Sequence, residues 1–160
     1  MNIDYIAGFF DGEGCVNISF AKKERKKMKG VCKFTFHVNP KISILMGEEP
    51  SNLTVLKGIQ KFLGMGHIYS RTRRERHGQR EVVFRIYRRD DLKKFIKLIK
   101  DKVIVKRAQI LKLQKILELM KNIQENIVEI LQIANELNPR RTNPRKWTVQ
   151  YLKNICPNLF

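Results

Sequence analysis

The stretch IAGFFDGEG, residues 6–14, begins as an apolar helical pattern and ends in glycines and acids. We predict a short helix over residues 3–13, capped by the side chain of Asn2. Gly8 and Gly12 are four residues apart and therefore lie on one face of that helix, although each costs about 1 kcal/mol relative to alanine. Small residues on one face allow a second backbone to approach closely. The pattern favours packing against a second copy of this helix, through a face formed by Ala7, Gly8, Asp11 and Gly12.

Glu13 lies at the C-terminal end of the predicted helix, where the carbonyl groups already make the local potential negative. An acidic side chain at that end suggests a bound cation, and oxygen ligands favour a hard one such as Mg²⁺. In a symmetric pair of helices, two Glu13 carboxylates would meet near the dyad and form a metal-dependent phosphodiester site. From the spacing alone, a solvated glutamate at a helix end is the simpler interpretation.

The positive charge of the chain is large and concentrated. The 160 residues carry a net charge of +18, of which residues 22–33, 71–89 and 139–146 supply +16, whereas residues 1–21 carry −3. Such a chain is expected to bind a polyanion, either a nucleic acid or an anionic membrane. No apolar run is long enough to span a bilayer, and the N-terminus lacks the basic start of a signal peptide. We interpret the three widely spaced cysteines as reduced thiols of an intracellular protein.

Alternating and helical patterns predict an α+β domain. Residues 16–20 and 31–38 alternate apolar and polar side chains and predict one hairpin, and a second hairpin follows over residues 67–87. Helical patterns follow each hairpin, the longest over residues 106–137, and Thr148 is a candidate cap for a last short helix. We expect one domain over residues 1–160, with a four-stranded antiparallel, saddle-like sheet, helices on one face and the first helix at a dimer interface.

The outward face of the predicted sheet carries many hydrogen-bonding side chains and few acids. A two-stranded ribbon is narrow enough to enter the major groove of DNA, where base pairs show distinct donor and acceptor patterns. Arginine suits guanine there, while flanking basic residues hold phosphates. An ordinary half-exposed sheet also alternates, but the excess of basic residues favours contact with nucleic acid. The candidate DNA-binding residues are Asn17, Ser19, Lys23, Lys33, Thr35, His37, Tyr69, Arg71, Arg73, Arg85 and Tyr87 on the sheet, with Arg140, Arg141 and Lys146 in the basic C-terminal segment.

The nine residues 6–14 resemble the LAGLIDADG motif of the homing endonucleases. They match it at Ala7, Gly8, Asp11 and Gly14, and a long basic hairpin and a helical C-terminal half follow, so the resemblance covers most of the chain. A single copy of the motif in about 160 residues is similar to the members that act as homodimers on nearly palindromic DNA. The resemblance thus implies a single LAGLIDADG homing endonuclease domain over residues 1–160.

The resemblance also assigns roles to individual residues. Glu13 falls on the metal-binding acid of the motif, Gly12 on the residue whose carbonyl helps to bind metal, and Asp11 on the first, structural acid. Lys106, in the stretch VKRAQ, looks like the active-site lysine of the family. Relatives often place a water-orienting glutamine after the second strand, where this chain has Asn39 and Pro40, so we assign no residue to that role.

Together, these features predict a homodimeric, Mg²⁺-dependent endonuclease that makes double-strand breaks at a long, nearly palindromic DNA target during intron homing. We expect Ca²⁺ to support binding without efficient cleavage, because its looser coordination positions water poorly. Two alternatives stay open: an RNA maturase that binds intron RNA and assists splicing, and a non-cleaving DNA-binding regulator. The expected location is intracellular, in a prokaryotic cytoplasm, mitochondrion or chloroplast, without membrane association.

Overall fold

The computed structural model describes residues 1–24, 34–72, 78–137 and 147–157, and it contains a four-stranded antiparallel sheet in which the first strand is next to the second, the second next to the fourth and the fourth next to the third. The α+β class that the sequence predicts is therefore confirmed. In chain order, the elements are α1 (Ile3–Glu13), β1 (Gly14–Glu24), β2 (Phe34–Gly47), α2 (Pro50–Leu63), β3 (His67–Thr72), β4 (Arg80–Ile86), α3 (Arg89–Ile99), α4 (Arg107–Leu119), a 3₁₀ turn (Met120–Asn122), α5 (Ile123–Leu137) and α6 (Val149–Ile155).

The elements form two compact units. The first contains Met1–Asn17 and Lys41–Leu111, and the second contains Ile18–Pro40 and Lys112–Phe160. Because β1, β2 and α4 each pass from one unit into the other, the boundary does not follow the ends of these elements. The interpretation of residues 1–160 as one domain stays a prediction.

The core of the first unit follows the predicted alternation of β4. Val82, Phe84 and Ile86 are buried, as their period of two requires, and α2 packs against β3 and β4. Gly66 precedes β3 with a positive φ of 88°, and a side chain there would clash with the ring of Phe84. Glycine is therefore needed at this entry to the sheet for both conformational and steric reasons.

The predicted boundaries of three elements are wrong. The first strand is not confined to residues 16–20 but spans Gly14–Glu24. The second strand does not end at Val38 but continues through Pro40 to Gly47, because Ile42 and Ile44 extend the buried alternation. The helix predicted over residues 106–137 is interrupted at Met120–Asn122, after which the chain folds back and pairs Lys112 with Glu136 at 2.9 Å. A side-chain amide at Asn126 also donates to the carbonyl of Leu119, 3.1 Å away, and so satisfies a carbonyl at the break.

In the second unit, α6 is held by an aromatic cluster. Its predicted cap is confirmed, since Thr148 Oγ1 accepts the backbone N–H of Tyr151 at 3.0 Å. The ring of Trp147 lies 5.8 Å from that of Phe20 and 6.3 Å from that of Phe36. These contacts attach the last helix to residues of β1 and β2. Cys156, which follows α6, is disulfide-bonded, so the interpretation of all three cysteines as reduced thiols is wrong for this one. Across the described ranges, every helix is too short or too polar to cross a membrane.

Candidate active site

The motif helix α1 has one buried face and one open face. Asn2 Oδ1 accepts the backbone N–H of Tyr5 at 2.9 Å and caps the helix as predicted, and the ring of Phe10 packs edge-on against Phe95 at 5.5 Å. Gly8 and Gly12 are exposed, and a methyl group added at either would meet no atom within 4 Å. The open face of the helix therefore carries both glycines, as their four-residue spacing predicts.

One residue of the predicted small face lies elsewhere. Ala7 is only 1% exposed, because it shares the buried side of α1 with Ile6 and Phe10. Its assignment to a surface for a second copy is therefore corrected: its methyl group packs within its own chain. Of the other three residues of that face, Gly8 and Gly12 are exposed and Asp11 is half-buried.

Asp11 joins the end of the motif helix to the segment that precedes α4. Its Oδ2 accepts the backbone N–H groups of Ile104 at 2.6 Å and Val105 at 3.3 Å, and its Oδ1 accepts that of Lys106 at 2.9 Å. Burial disfavours the charged carboxylate, but these three hydrogen bonds and the Lys106 ammonium outweigh it and lower the pKa of Asp11. Asp11 thus acts as a structural acid, in keeping with the role that the resemblance implies.

The side chain of Lys106 turns back to the C-terminal end of α1. Its ammonium donates to the backbone carbonyl of Asp11 and lies 3.5 Å from the carbonyl oxygen of Gly12. These carbonyls form the negative end of the helix dipole, which favours a cation at this position. Two residues that the sequence separates by 94 positions, Gly12 and Lys106, therefore meet at one place.

Glu13 ends the helix with an exposed side chain, beside Gly12 and ahead of the first strand. The next residue, Gly14, is buried, and a side chain there would clash with the ring of Phe10. Glycine at this position lets the chain turn directly from α1 into β1. The backbone of Glu13 is consequently held between the helix end and the sheet.

The oxygen donors at this helix end fit a hard divalent cation. The Glu13 carboxylate and the Gly12 carbonyl are the ligand types that Mg²⁺ and Ca²⁺ prefer. Within the described parts of the chain, no group of three or more His, Cys, Asp or Glu side chains is placed to hold a metal ion.

The outward face of the sheet carries the predicted polar side chains. Ser19, Lys23, His37 and Tyr87 are exposed, while Asn17, Thr35, Tyr69, Arg71 and Arg85 are half-buried. Five of the predicted positions, Lys33, Arg73, Arg140, Arg141 and Lys146, lie outside the described residues. Burial along the first part of β2 follows the outward parity that the sequence predicts, but Ser43 and Val83, which have that parity, are buried.

Contacts between neighbouring strands organise this face. Arg71 donates through Nε and Nη2 to one carboxylate oxygen of Glu81, at 3.0 and 2.9 Å. The guanidinium of Arg85 lies 4.8 Å from the ring centre of Tyr69. The ring of Tyr87 stacks on that of His67, with the centroids 5.1 Å apart. The outward side chains are therefore partly ordered before any ligand arrives.

Sequence reasoning missed the residues that the continuation of β2 adds to the outward face. Lys41 and Ser43 lie beyond the predicted strand end, and Ser43 is paired in register with Arg85. The predicted strand ends at Val38, two residues before Pro40, and proline is uncommon inside a sheet. The alternation of Ile42 and Ile44 was the available signal that the strand continues.

A comparison with known families shows which family the chain belongs to. The chain matches the family described as LAGLIDADG endonuclease over residues 6–117, more than half of its length. The chain therefore belongs to the LAGLIDADG endonuclease family, and the resemblance of its motif is confirmed. A search of curated proteins found no match to this chain.

Solved structures of homing endonucleases share the fold. I-CvuI, in complex with the I-CreI target in the presence of Mg²⁺ and with the DNA not cleaved, has a TM-score of 0.74 at 20% identity, covering 98% of this chain and 93% of that one. The archaeal intron-encoded I-Vdi141I, complexed with DNA, has a TM-score of 0.74 at 22% identity, covering 98% and 95%. I-TnaI has a TM-score of 0.71 at 24% identity, covering 100% and 99%.

A second complex of I-CvuI contains its own target in the presence of Ca²⁺, and it has a TM-score of 0.70 at 20% identity over 98% of this chain and 93% of that one. At these identities the similarity establishes the fold. The DNA targets, Mg²⁺ and Ca²⁺ are named for those proteins and are not observations on this chain.

Proposed function

We propose that this chain is a homodimeric, divalent-metal-dependent endonuclease that makes double-strand breaks at a long, nearly palindromic DNA site. The observation that carries the proposal is the junction at the end of α1. There Asp11 fixes the backbone of Lys106, and the Lys106 ammonium reaches the carbonyls next to Glu13. An acid, a backbone carbonyl and a positioned ammonium group at one place can together support phosphodiester hydrolysis.

Each of these groups has a distinct proposed role. Glu13 and the Gly12 carbonyl would hold a divalent cation, which lowers the pKa of water and offsets charge on the leaving oxygen when it is bound. The Lys106 ammonium would move from the helix-end carbonyls toward the phosphate and offset the negative charge that develops there. Asp11 would keep the backbone of Lys106 in place during that movement.

The proposal of a homodimer has support from the surface of the first unit. One chain offers one Glu13, whereas cleavage of two strands requires two sets of reacting groups. Gly8 and Gly12 leave an open helix face, and the neighbouring Ile104 and Val105 side chains are 84% and 77% exposed. Apolar side chains exposed beside an open helix face are typical of an interface. We propose that a second copy covers them.

Double-stranded DNA is the proposed substrate. The net charge of +18 and the hydrogen-bonding outward face of the sheet suit a polyanion with readable base edges. I-CvuI and I-Vdi141I are described in complex with DNA. Of the two alternatives, nothing in these relatives favours a maturase that binds intron RNA, and the intact Glu13 and Lys106 favour a nuclease over a non-cleaving regulator. We further propose intron homing in a prokaryotic cytoplasm or an organelle as the biological setting.

The testing experiment separates binding from cleavage. Duplexes enriched from a randomised pool by binding in Ca²⁺ supply a target, which is then placed in a supercoiled plasmid and incubated with Mg²⁺. We expect wild type to linearise the plasmid and Glu13→Gln to bind it with comparable affinity but to cut it slower by orders of magnitude.

Glu118→Gln, which removes an exposed acid from α4, is the matched control and is expected to cut like wild type. Equal cutting by wild type and Glu13→Gln would show that Glu13 is not the metal-binding acid. Binding without any cleavage by wild type would instead favour the regulator.

A further inference from the structure

Two cations lie side by side on the outward face of the sheet, where the sequence predicts no shared site. Lys41 of β2 is two residues before Ser43, and Ser43 is paired in register with Arg85 of β4. Lys41 and Arg85 therefore belong to neighbouring positions of one face. We call this pair the Lys41–Arg85 cluster.

Acidic residues do not neutralise this cluster. Glu81, the acid on the same face of β4, is bound by Arg71 through two hydrogen bonds. Among the residues that the structure describes, neither Lys41 nor Arg85 has an ion-pair partner, and the buried Nε of Arg85 has no hydrogen-bond acceptor. The guanidinium instead lies against the ring of Tyr69.

The free chain holds these charges at an energetic cost. Burial disfavours the ammonium, and repulsion from Arg85 and Arg71 adds to the effect, so that the pKa of Lys41 is lowered, although the Cys15 thiol opposes part of the shift. A buried donor without an acceptor is also unfavourable. A bound anion would relieve both costs at once.

We propose that Lys41 and Arg85 form a preorganised subsite for one backbone phosphate of the DNA, next to the cleavage site. The inference rests on the proposed function, and it assigns Arg85 to a phosphate in place of the base contact that the sequence suggested. β2, which carries Lys41, is next to β1 in the sheet, and β1 directly follows the motif helix. The subsite therefore lies on a strand next to the one that follows the motif helix.

The chemistry of the cluster favours a phosphate over a base edge. A phosphodiester carries a full negative charge and two free oxygens, so it can accept from the ammonium and the guanidinium together. A guanine edge carries no net charge and would leave the two cations repelling each other. The contact of Arg85 with Tyr69 also holds the guanidinium against the sheet and does not extend it into a groove.

The first test uses the free protein and inorganic phosphate. In low salt, Lys41→Gln is expected to raise the Tm of the chain by about 1–3 °C, because it removes a charge that the fold disfavours. Phosphate is expected to raise the Tm of Lys41→Gln less than that of wild type. Lys57→Gln, which removes an exposed lysine from α2, is the matched control and is expected to respond to phosphate like wild type.

The second test uses duplex DNA enriched by the wild-type protein. Lys41→Gln is expected to weaken binding to all sequences by a similar factor and to reduce the slope of log K against log salt by about one, with the base preference unchanged. Lys41→Arg retains the charge and is expected to restore the slope.

A changed preference at one base pair per half-site would overturn the phosphate assignment, as would identical behaviour of Lys41→Gln and Lys57→Gln in both tests. If wild type binds no duplex, the proposed nuclease function fails. The phosphate-dependent Tm values alone then show whether Lys41 and Arg85 form an anion subsite. In that case a smaller phosphate response of Lys41→Gln supports an anion subsite, and an equal response rejects it.

Discussion

Asp11 and Lys106 bind each other at two points: the carboxylate of Asp11 accepts the backbone N–H of Lys106 at 2.9 Å, and the ammonium of Lys106 donates to the backbone carbonyl of Asp11. The carboxylate of Asp11 fixes the backbone of Lys106, and the backbone carbonyl of Asp11 fixes the position of the Lys106 ammonium. These two contacts have separable consequences, since one belongs to the fold and the other to the proposed chemistry.

Replacement of Asp11 tests the structural contact. Asp11→Asn keeps the shape of the side chain but removes the charge that three backbone N–H groups share, and its amide would oppose one of these donors. We predict a loss of about 1–3 kcal/mol in the free energy of unfolding, since hydrogen bonds to a charged group are stronger than neutral ones and this group is partly solvated. Urea denaturation measures this loss.

Asp4 offers a matched control on the same helix. It forms an ion pair with Lys102 at 2.5 Å, but both side chains are largely exposed. Exposed pairs contribute little, so Asp4→Asn is expected to leave the urea midpoint nearly unchanged. An equal loss in the two variants would mean that Asp11 contributes only charge, without capping the segment before α4.

Replacement of Lys106 tests the other contact. Lys106→Met retains the length of the side chain and leaves the three hydrogen bonds of Asp11 intact, because they involve backbone groups. We therefore predict a nearly unchanged Tm, retained DNA binding and a cleavage rate reduced by about 100-fold or more, the usual cost of losing a charge-stabilising group. Single-turnover cleavage in Mg²⁺ measures the rate, and Lys112→Met, which lies further along α4, is the control. Unchanged cleavage would remove Lys106 from the catalytic set.

A larger side chain at Gly8 tests the proposed dimer. A side chain at this position would have open space within one chain, so Gly8→Leu should fold with unchanged or increased stability. We predict a monomer in sedimentation equilibrium and no double-strand cleavage, because the side chain would hold the two helices apart. Lys97→Leu, at an exposed position of α3, serves as the control. An active Gly8→Leu dimer at micromolar concentration would contradict the packing of two α1 helices.

Separate roles for the strands and the C-terminal segment give a fourth prediction. Arg71→Ala should relax base preference at one position per half-site and reduce the binding free energy by about 1–3 kcal/mol. Arg140→Ala should instead weaken binding to all sequences by a similar factor. Arg71 must break its ion pair with Glu81 to reach a base. Glu81→Gln should therefore free the Arg71 guanidinium and strengthen binding to DNA. Sequencing of the duplexes that each variant enriches measures preference. Altered preference in Arg140→Ala, together with unchanged preference in Arg71→Ala, would reverse these two assignments.

Local sequence was sufficient for much of the fold. The alternation of Val82, Phe84 and Ile86 predicted a buried strand face, and Asn2 and Thr148 predicted two helix caps that the structure confirms. Patterns of this kind depend on residues within a few positions of each other, so they can be interpreted without knowledge of the rest of the chain. The chain also belongs to the family that residues 6–14 suggested.

Boundaries were less predictable because distant partners set them. The turn at Met120–Asn122 depends on how α4 and α5 pair, as the contact between Lys115 and Glu129 at 2.6 Å shows. β2 continues beyond Pro40 because its residues 42–47 pair with β4. Neither partner is adjacent in sequence, so local patterns could not show that the strand continues past Val38 or that the helix over residues 106–137 is interrupted.

By itself, the sequence determined the motif, the basic charge, the alternating strands and the candidate residues Glu13 and Lys106. Only the tertiary structure decided that Ala7 is buried in its own chain, that Asp11 binds the segment before α4, and that Lys41 lies beside Arg85. The physical reason is separation along the chain. Helix and strand patterns are local, whereas a hydrogen bond across 95 residues or a repulsion between two strands exists only after the chain has folded.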